Sequence, residues 1–392
     1  MTQKSLFDFN NMKIIRNLKV FDLKYVPPRK YFYEREELKQ IAFNIKKYVR
    51  FGLPTNMFIY GTAGTGKTAS VKILERDIKE SDVEVNFHYI SGRDSYTKYR
   101  IFTQLCGDFI DPNNLSKELS HALKGYNIIV IDEADHVRSK DLQDVCFLFS
   151  RWGEVIPVRD ESTVSLILIA NKFNLLEILD VEPNDPVISS LQPDPIYFRH
   201  YEEDELYKIL LLRAEEGLME GAWDDEVLKK IAEKCASEYF GDARYAILAL
   251  ERIATICEAR GLDKIPSDVD IEEVFNYAST KLGEYTVQRL DKQSLLILYA
   301  TILCNGEKTV EKIYEKYFDI CLKFGVKLLK RRRVYDYIQS MQSLGLVNIY
   351  KLKSKRKGRP KLCVEVSVDE GYIINKIKSV FGDNCHEVQP LQ

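Results

Sequence analysis

The densest chemical signal in the sequence is Gly61-Thr62-Ala63-Gly64-Thr65-Gly66-Lys67-Thr68, followed by Ala69. It has the spacing G-x-x-x-x-G-K-T and lies between an apolar run, Met57–Tyr60, and a stretch of helical pattern reaching about Lys79. Glycines at those places let a backbone wrap closely around phosphates, where side chains would block the approach. Amides at the start of the following helix point at the anion, and the helix dipole assists them. Lys67 is expected to put a point charge on the β and γ phosphates, and Thr68 to offer its hydroxyl to Mg²⁺. A second apolar run, Asn127–Ile131, ends in Asp132-Glu133, and a third, Val164–Ala170, ends in Asn171. In a parallel sheet, strand C-termini face the ligand crevice. Asp132 is therefore expected in the Mg²⁺ shell. Glu133 is expected to orient or deprotonate an attacking water, and Asn171 to hold that water or the γ-phosphate. The tetrapeptide Asp132–Asp135 spells a helicase signature, but no second ATPase core of helicase length fits in the rest of the chain.

These residues need a scaffold. Continuous apolar runs separated by helical patterns indicate strands buried on both faces of a parallel sheet, so the first block is an α/β domain over 1–198. Residues 199–283 are helical, with stretches at 203–217, 224–239, 242–261 and 271–282. Residues 289–392 carry three helical patterns, 291–304, 309–324 and 328–344, and then two extended runs, 346–353 and 361–368.

At 392 residues with 45% hydrophobic content, the chain has enough apolar material for two or three folded domains. No apolar run is long enough to span a membrane, and the first residues lack the apolar stretch of a signal peptide, so a cytoplasmic protein without membrane partners is expected. The eight cysteines include no C-x-x-C and are expected to be reduced and mostly buried. Charge is unevenly placed. Residues 323–361 contain thirteen lysines and arginines against one acid, Asp336. That is a net +12, and with an overall charge of −2 the remainder carries −14. One concentrated basic stretch on an acidic body suggests a polyanion bound at one end.

Within that stretch the third helical pattern turns Val334, Ile338 and Met341 to one face and Arg332, Tyr335, Asp336 and Gln339 to the other, with Lys330, Arg331 and Arg333 at its start. Such a helix can set its first residues against base edges in a major groove: arginine offers a fork to guanine and Gln339 can read adenine. The two extended runs flank Lys355, Arg356, Lys357, Gly358, Arg359, Pro360 and Lys361, an extended basic tip of the kind that enters a minor groove. Together they read as a winged helix-turn-helix that binds double-stranded DNA. Tyr96, Lys98 and Arg100 form a weaker candidate surface, equally readable as an ordinary helix start.

GTAGTGKT, IIVIDEAD, LILIAN and the turn Gly241-Asp242-Ala243-Arg244 stand in the order of Walker A, Walker B, sensor 1 and sensor 2 of the AAA+ superfamily. The chain more narrowly resembles archaeal origin-recognition initiators of the Orc/Cdc type, through Tyr25-Val26-Pro27-Pro28, Arg35-Glu36, Val187–Leu191 and the same turn, over roughly 20–385. The resemblance implies a P-loop sheet with a helical lid and a winged helix, ATP or ADP with Mg²⁺ as ligands, and origin-like duplex sites. It also implies a paralogous initiator on adjacent DNA and recruitment of the replicative helicase. By it, Val26 and its neighbours line the adenine pocket, Arg35 joins the nucleotide site, Tyr201 and Arg213 contact the nucleotide, and Arg244 reaches the phosphates. One departure stands out. Pro186 occupies the place of a finger arginine, and proline has neither charge nor donor N–H. Arg199 is a candidate substitute. Slow hydrolysis, with nucleotide acting mainly as a switch, is therefore expected. A clamp-loader-like motor subunit and a nucleotide-gated transcription regulator are the alternatives; the winged helix and Pro186 favour the initiator.

Overall fold

Five runs form one parallel sheet: β1 (Met57–Tyr60), β2 (Val85–Ser91), β3 (Tyr126–Asp132), β4 (Thr163–Ala170) and β5 (Asp194–Tyr197), in the order β2-β3-β4-β1-β5. The computed structural model describes residues 12–107, 114–156, 162–352 and 361–382. Alternate residues of the central strands feed two separate cores. Ile128, Val130, Ile167 and Ile169 pack under α1 (Glu36–Phe51) and α2 (Lys67–Lys79). Ile129, Ile131, Leu166 and Leu168 pack under helices on the other face: α3 (Lys98–Cys106), α4 (Leu115–Ala122), α5 (Ser139–Ser150), α6 (Trp152–Val155), α7 (Leu175–Leu179) and α8 (Pro186–Leu191). Burial on both sides, worth about 1.5–3 kcal/mol per large aliphatic side chain, is why these runs are apolar without alternation.

Register sets the site. Tyr60 pairs with Ala170, Ile131 with Leu168 and Ser91 with Asp132. Gly61, Asp132 and Asn171 consequently leave the sheet at the same edge, and Asn171 follows the strand lying between the other two. Pro186 is the first residue of α8, and the Asp185 side chain caps that helix by accepting from Val187 N (2.8 Å). Proline's preset φ suits this first helical position. The strand β5 was not among the expected elements. It is four residues long and holds Pro195, which an edge strand tolerates.

Beyond the sheet come α9 (Glu203–Gly217), α10 (Asp225–Glu238) and α11 (Ala243–Ala259). Each opens on an acidic cap: a capping box between Glu202 and Glu205, then Asp224, then Asp242. The N-terminal segment lies on this layer as a strap, with Ile14, Val20 and Phe21 fully buried. Its backbone is gripped by one carboxylate. Glu258 accepts from Lys13 N (3.0 Å), Ile14 N (2.8 Å) and Ile15 N (2.9 Å). Burial alone would raise the Glu258 carboxyl, but the three backbone donors outweigh it and hold it below the usual range. A depressed carboxylate stabilises the fold above its unfolded pKa of about 4.3, and the contribution is lost as pH falls through the lower folded value. Protection of the Ile14 and Ile15 amides, taken relative to intrinsic exchange at each pH, is therefore expected to fall on acidification below that range. Glu258→Gln should be less protected already at neutral pH, with protection flat across the same interval. Protection in the wild type that ignores pH would contradict this.

The chain divides into two units, one up to Val269 and one from Asp270 onward. The second contains α12 (Ile271–Gln288), α13 (Lys292–Leu303), α14 (Val310–Phe324), α15 (Arg331–Ser343), the antiparallel strands β6 (Val347–Leu352) and β7 (Lys361–Val366), and α16 (Glu370–Phe381). The helix beginning at 271, expected to complete the lid, groups with this second unit, where Val368 packs closely on Gly283. Leu296, Ile313, Val334, Ile338, Val364 and Ile373 are among its buried core residues. A bridge between Thr309 and Cys363 adds a short third rung to the hairpin. The seven described cysteines are all free, and burial alone lifts the Cys146 thiol to about 12. No described helix is long and apolar enough to cross a membrane.

Candidate nucleotide site and duplex-binding face

The phosphate loop is a cradle with room only for glycine. Gly61, Gly64 and Gly66 have φ of 150°, 76° and 85°. A Cβ on Gly61 would lie 2.3 Å from the Phe198 carbonyl oxygen, and one on Gly64 would lie 1.7 Å from an Asp242 carboxylate oxygen. One on Gly66 would lie 2.3 Å from the Tyr201 hydroxyl. The loop delivers α2 with no side-chain cap and no acid in the first turn, so the helix start keeps its affinity for an anion. Thr62 and Thr65 brace the loop: Thr65 Oγ1 donates to Thr62 O (2.9 Å), and Thr62 Oγ1 lies 3.3 Å from His200 Nδ1. Ala63 and Ala69 occupy the remaining positions of the motif.

Lys67 is buried. Its Nζ donates to Gly61 O (2.8 Å), Thr62 O (2.6 Å) and Asn171 Oδ1 (3.0 Å). Burial draws its ammonium down to about 8, while the nearby Asp132 and Asp135 oppose that shift. A polyphosphate would supply the counter-charge that three neutral acceptors do not. Asp132 receives Thr68 Oγ1 (2.7 Å), the Tyr89 hydroxyl and Glu133 N (2.8 Å). Thr68 and Asp132 thus bring two hard oxygens together, a donor set that suits Mg²⁺ with its remaining ligands from water and phosphate. Glu133 sits in the left-handed region, φ 55°, uncommon for a side chain of its size. Its carboxylate lies 3.3 Å from Arg93, and the Arg93 guanidinium is also 2.9 Å from His136 Nε2.

The remaining expected contacts fall differently. Arg35, 3% exposed, donates to Thr65 O (2.8 Å) and Arg199 O (3.0 Å) and lies 4.4 Å over the Tyr201 ring. It props the phosphate loop through Thr65. Arg213 is turned toward the strap, donating to Val20 O (2.8 Å) and Tyr25 O (3.5 Å). Arg244, whose place at a helix start called for a partner, finds it in the adjacent cap: both Asp242 oxygens lie within 2.5–3.1 Å of its guanidinium. Arg199 is committed to Glu205 by two bonds of 2.8 and 2.9 Å and does not stand free as a finger. Tyr89 and Arg93 carry no signal in the sequence until β2 is paired with β3, which sets them beside Asp132 and Glu133. Arg76 carries no motif signal; its place on α2 facing Val26 and Pro27 appears only in the fold.

In the second unit, Lys330 is the N-cap of α15, and Arg331, Arg332 and Arg333 follow exposed in its first turn, where there is no acid. Val334, Ile338 and Met341 are buried at 0–1% exposure. Arg331 reaches Glu311 (2.6 Å), Arg333 lies 5.5 Å over the Tyr337 ring, and Gln339 donates to the Tyr335 hydroxyl (3.0 Å). Three like charges at the positive end of a helix each oppose the dipole by about 0.3–1 kcal/mol, an arrangement that a polyanion reverses. Lys361 opens β7 and is exposed; Lys355, Arg356, Lys357 and Arg359 lie outside the described residues. In the first unit, Lys98 pairs with Asp144 (2.5 Å), and Arg100 lies 4.5 Å over the Tyr96 ring and donates to Asp94 O (2.9 Å), the local satisfaction of a helix start.

Comparison with known proteins follows the same division. Residues 52–179 match the model of an AAA domain, 207–273 that of the Cdc6 AAA+ ATPase-type lid domain, and 285–376 that of the CDC6 C-terminal winged helix domain. The ORC1-type DNA replication protein 1 of Sulfurisphaera tokodaii is 30% identical over 95% of each chain. The ORC1-type DNA replication protein of Thermococcus kodakarensis is 28% identical over 89% of this chain and 87% of its own. Among solved structures, the Aeropyrum pernix ORC1 protein in complex with DNA is similar with a TM-score of 0.71 and 26% identity, covering 94% of this chain and 98% of that one. The Pyrobaculum aerophilum CDC6p crystal structure shares the fold at a TM-score of 0.57 and 21% identity, covering 94% of this chain and all of that one.

Proposed function

Because the chain belongs to the ORC1-type DNA replication protein family, we propose that it is a replication initiator. In this reading it binds origin-like double-stranded DNA through its winged helix and uses ATP or ADP as a switch. The observation that carries the reading is Arg331–Arg333, exposed without an acid at the start of the third helix, in the same chain as a glycine-only phosphate cradle. Arg332 has no ion-pair partner among the described residues, so it is the member of the cluster best placed to read a base edge. Lys330, Tyr335, Gln339 and the wing tip through Lys361 complete the face, and Tyr96, Lys98 and Arg100 form a secondary surface. In the nucleotide site Gly61–Ala69 hold the phosphates, and Thr68 and Asp132 hold Mg²⁺, which supplies charge neutralisation there. Glu133 and Asn171 position water, Val26 and Tyr201 border the base, and Arg244 engages phosphate on leaving Asp242. A paralogous initiator on adjacent DNA, recruitment of the replicative helicase and residence on the nucleoid belong to the same reading.

With proline at the finger position, Arg199 already paired and Glu133 held by Arg93, turnover in the isolated chain is expected to be slow. Glu133→Gln should lower single-turnover hydrolysis by about 10²-fold or more, with Mg-ATP affinity and duplex affinity within about twofold of wild type. If Glu133→Gln hydrolysed ATP as fast as the wild type, Glu133 would lose its assigned role. If duplex binding fell together with hydrolysis, the reading of nucleotide as a switch would give way to that of a motor.

A further inference from the structure

The strap between Asp22 and Arg29 runs past the phosphate-loop helix through Val26-Pro27-Pro28. The segment belongs to no strand; Pro28 O accepts from Tyr31 N (2.9 Å), and the carbonyls of Tyr25, Val26 and Pro27 take side-chain donors. They find them in two arginines from different layers. From α2, Arg76 donates to Val26 O (3.0 Å) and to Pro27 O (2.9 Å). From α9, Arg213 donates to Val20 O and Tyr25 O, and its guanidinium lies 5.4 Å over the Tyr25 ring. The Tyr25 hydroxyl in turn bonds Glu216, which with burial pushes the phenol up to about 12. Arg29 adds a pair with Asp77 (3.2 Å), but both side chains are about two-fifths exposed and the pair is weak. On the α2 side the strap therefore hangs on one planar fork whose two N–H groups match two successive carbonyls.

We propose that Arg76 is the positioning residue for the nucleotide's base: it fixes the Val26–Pro27 backbone to the helix that carries Lys67 and Thr68. The wall of the base pocket is then in place before a ligand arrives. Arg76 sits nine residues after Lys67, beyond the phosphate-facing first turn of α2, and its work on phosphate is indirect. Preorganisation of this kind acts on the part of the ligand that meets the wall and leaves the rest alone. The inference rests on the nucleotide-binding reading given above.

The test compares Mg-ADP with Mg-tripolyphosphate, a ligand without a base, by calorimetry on the full chain carrying Arg76→Ala or Arg76→Lys. Amide exchange at Tyr25 and Val26 is measured on the same proteins without ligand. Arg76→Ala is expected to weaken ADP by roughly thirtyfold, as for the loss of charge-assisted bonds, with tripolyphosphate within twofold of wild type and faster exchange at both amides. Arg76→Lys keeps the charge but not the fork and should fall between. An equal loss for both ligands, or no loss for either, would overturn the proposal. If the wild type bound neither ligand, the nucleotide reading itself would fail. The exchange measurement would still decide the anchor, since unchanged protection in Arg76→Ala rules it out.

Discussion

Lys67→Ala is expected to weaken ADP and ATP binding by at least about a hundredfold, a loss of some 2.7 kcal/mol. The magnitude follows from charge-assisted bonds to phosphate, each worth about 1.5–3 kcal/mol, in a site from which water is largely excluded. Lys67 is 7% exposed, and its hydrogen-bond partners among the described residues are Gly61 O, Thr62 O and the amide oxygen of Asn171, with the Asp132 and Asp135 carboxylates nearby. A buried ammonium facing neutral acceptors is costly, which is why burial pulls it toward 8. Removing it should therefore cost the unliganded protein little. Thermal unfolding separates the two effects. At ligand concentrations near a hundred times Kd the wild type gains about 2.7 kcal/mol from Mg-ADP, and the variant should gain almost nothing from a similar unliganded baseline. Calorimetry showing unchanged ADP affinity in Lys67→Ala would refute the placement of the phosphates at this loop.

The second large effect concerns α15. Replacing Arg331, Arg332 and Arg333 together by alanine should weaken duplex binding and flatten its salt dependence. The log–log slope is expected to fall by about 1.8 with Arg332 on a base edge and Arg331 and Arg333 on phosphates, or by about 2.7 with all three on phosphates, at about 0.9 for each phosphate no longer neutralised. All three side chains are exposed while Val334, Ile338 and Met341 hold the helix to the core, so the second unit should fold as before. Relief of like charge at the helix start should even leave it slightly more stable. Arg332→Ala alone distinguishes two roles. A base reader loses about 1–3 kcal/mol at one position of the site and relaxes preference there, whereas a residue that only neutralises phosphate weakens all sequences alike when removed. Binding by the triple variant with the wild-type slope would remove α15 from the interface.

Much of this was legible before the fold because the motifs report backbone geometry. The glycines at 61, 64 and 66 are required by positive φ and by the approach of Phe198, Asp242 and Tyr201. Asp132 and Asn171 follow runs whose burial on two faces leaves no other place for a polar end. Boundaries in the lid were legible for the same reason, since Asp224 and Asp242 announce helix starts by their capping oxygens. The side-chain partners were not. Arg35, Arg213 and Arg244 are expected at the nucleotide by resemblance, and that expectation does not say what they bond to within the chain. Within it they meet Thr65 O, the strap carbonyls and Asp242, because a guanidinium takes whichever acceptors the fold brings near, and those come from residues 30, 193 and 2 positions away. The final helix α16 escaped notice because its fully buried side chains are few, Ile373 and Ile377. The helix at 271–288 carries an apolar face that two domains could equally claim, and no local signal says which.

The central claim is that this chain reads a defined duplex sequence through its winged helix. The direct measurement is selection from a random duplex library at physiological salt, using the ATP-bound protein beside a deletion of residues 354–361. The account predicts a defined motif that is lost or blurred by the deletion, and that maps to origins, not promoters, in the source genome. Recovery of no motif, with only generic salt-sensitive binding, would contradict it and shift the reading toward a motor or a subunit that borrows its specificity from a partner.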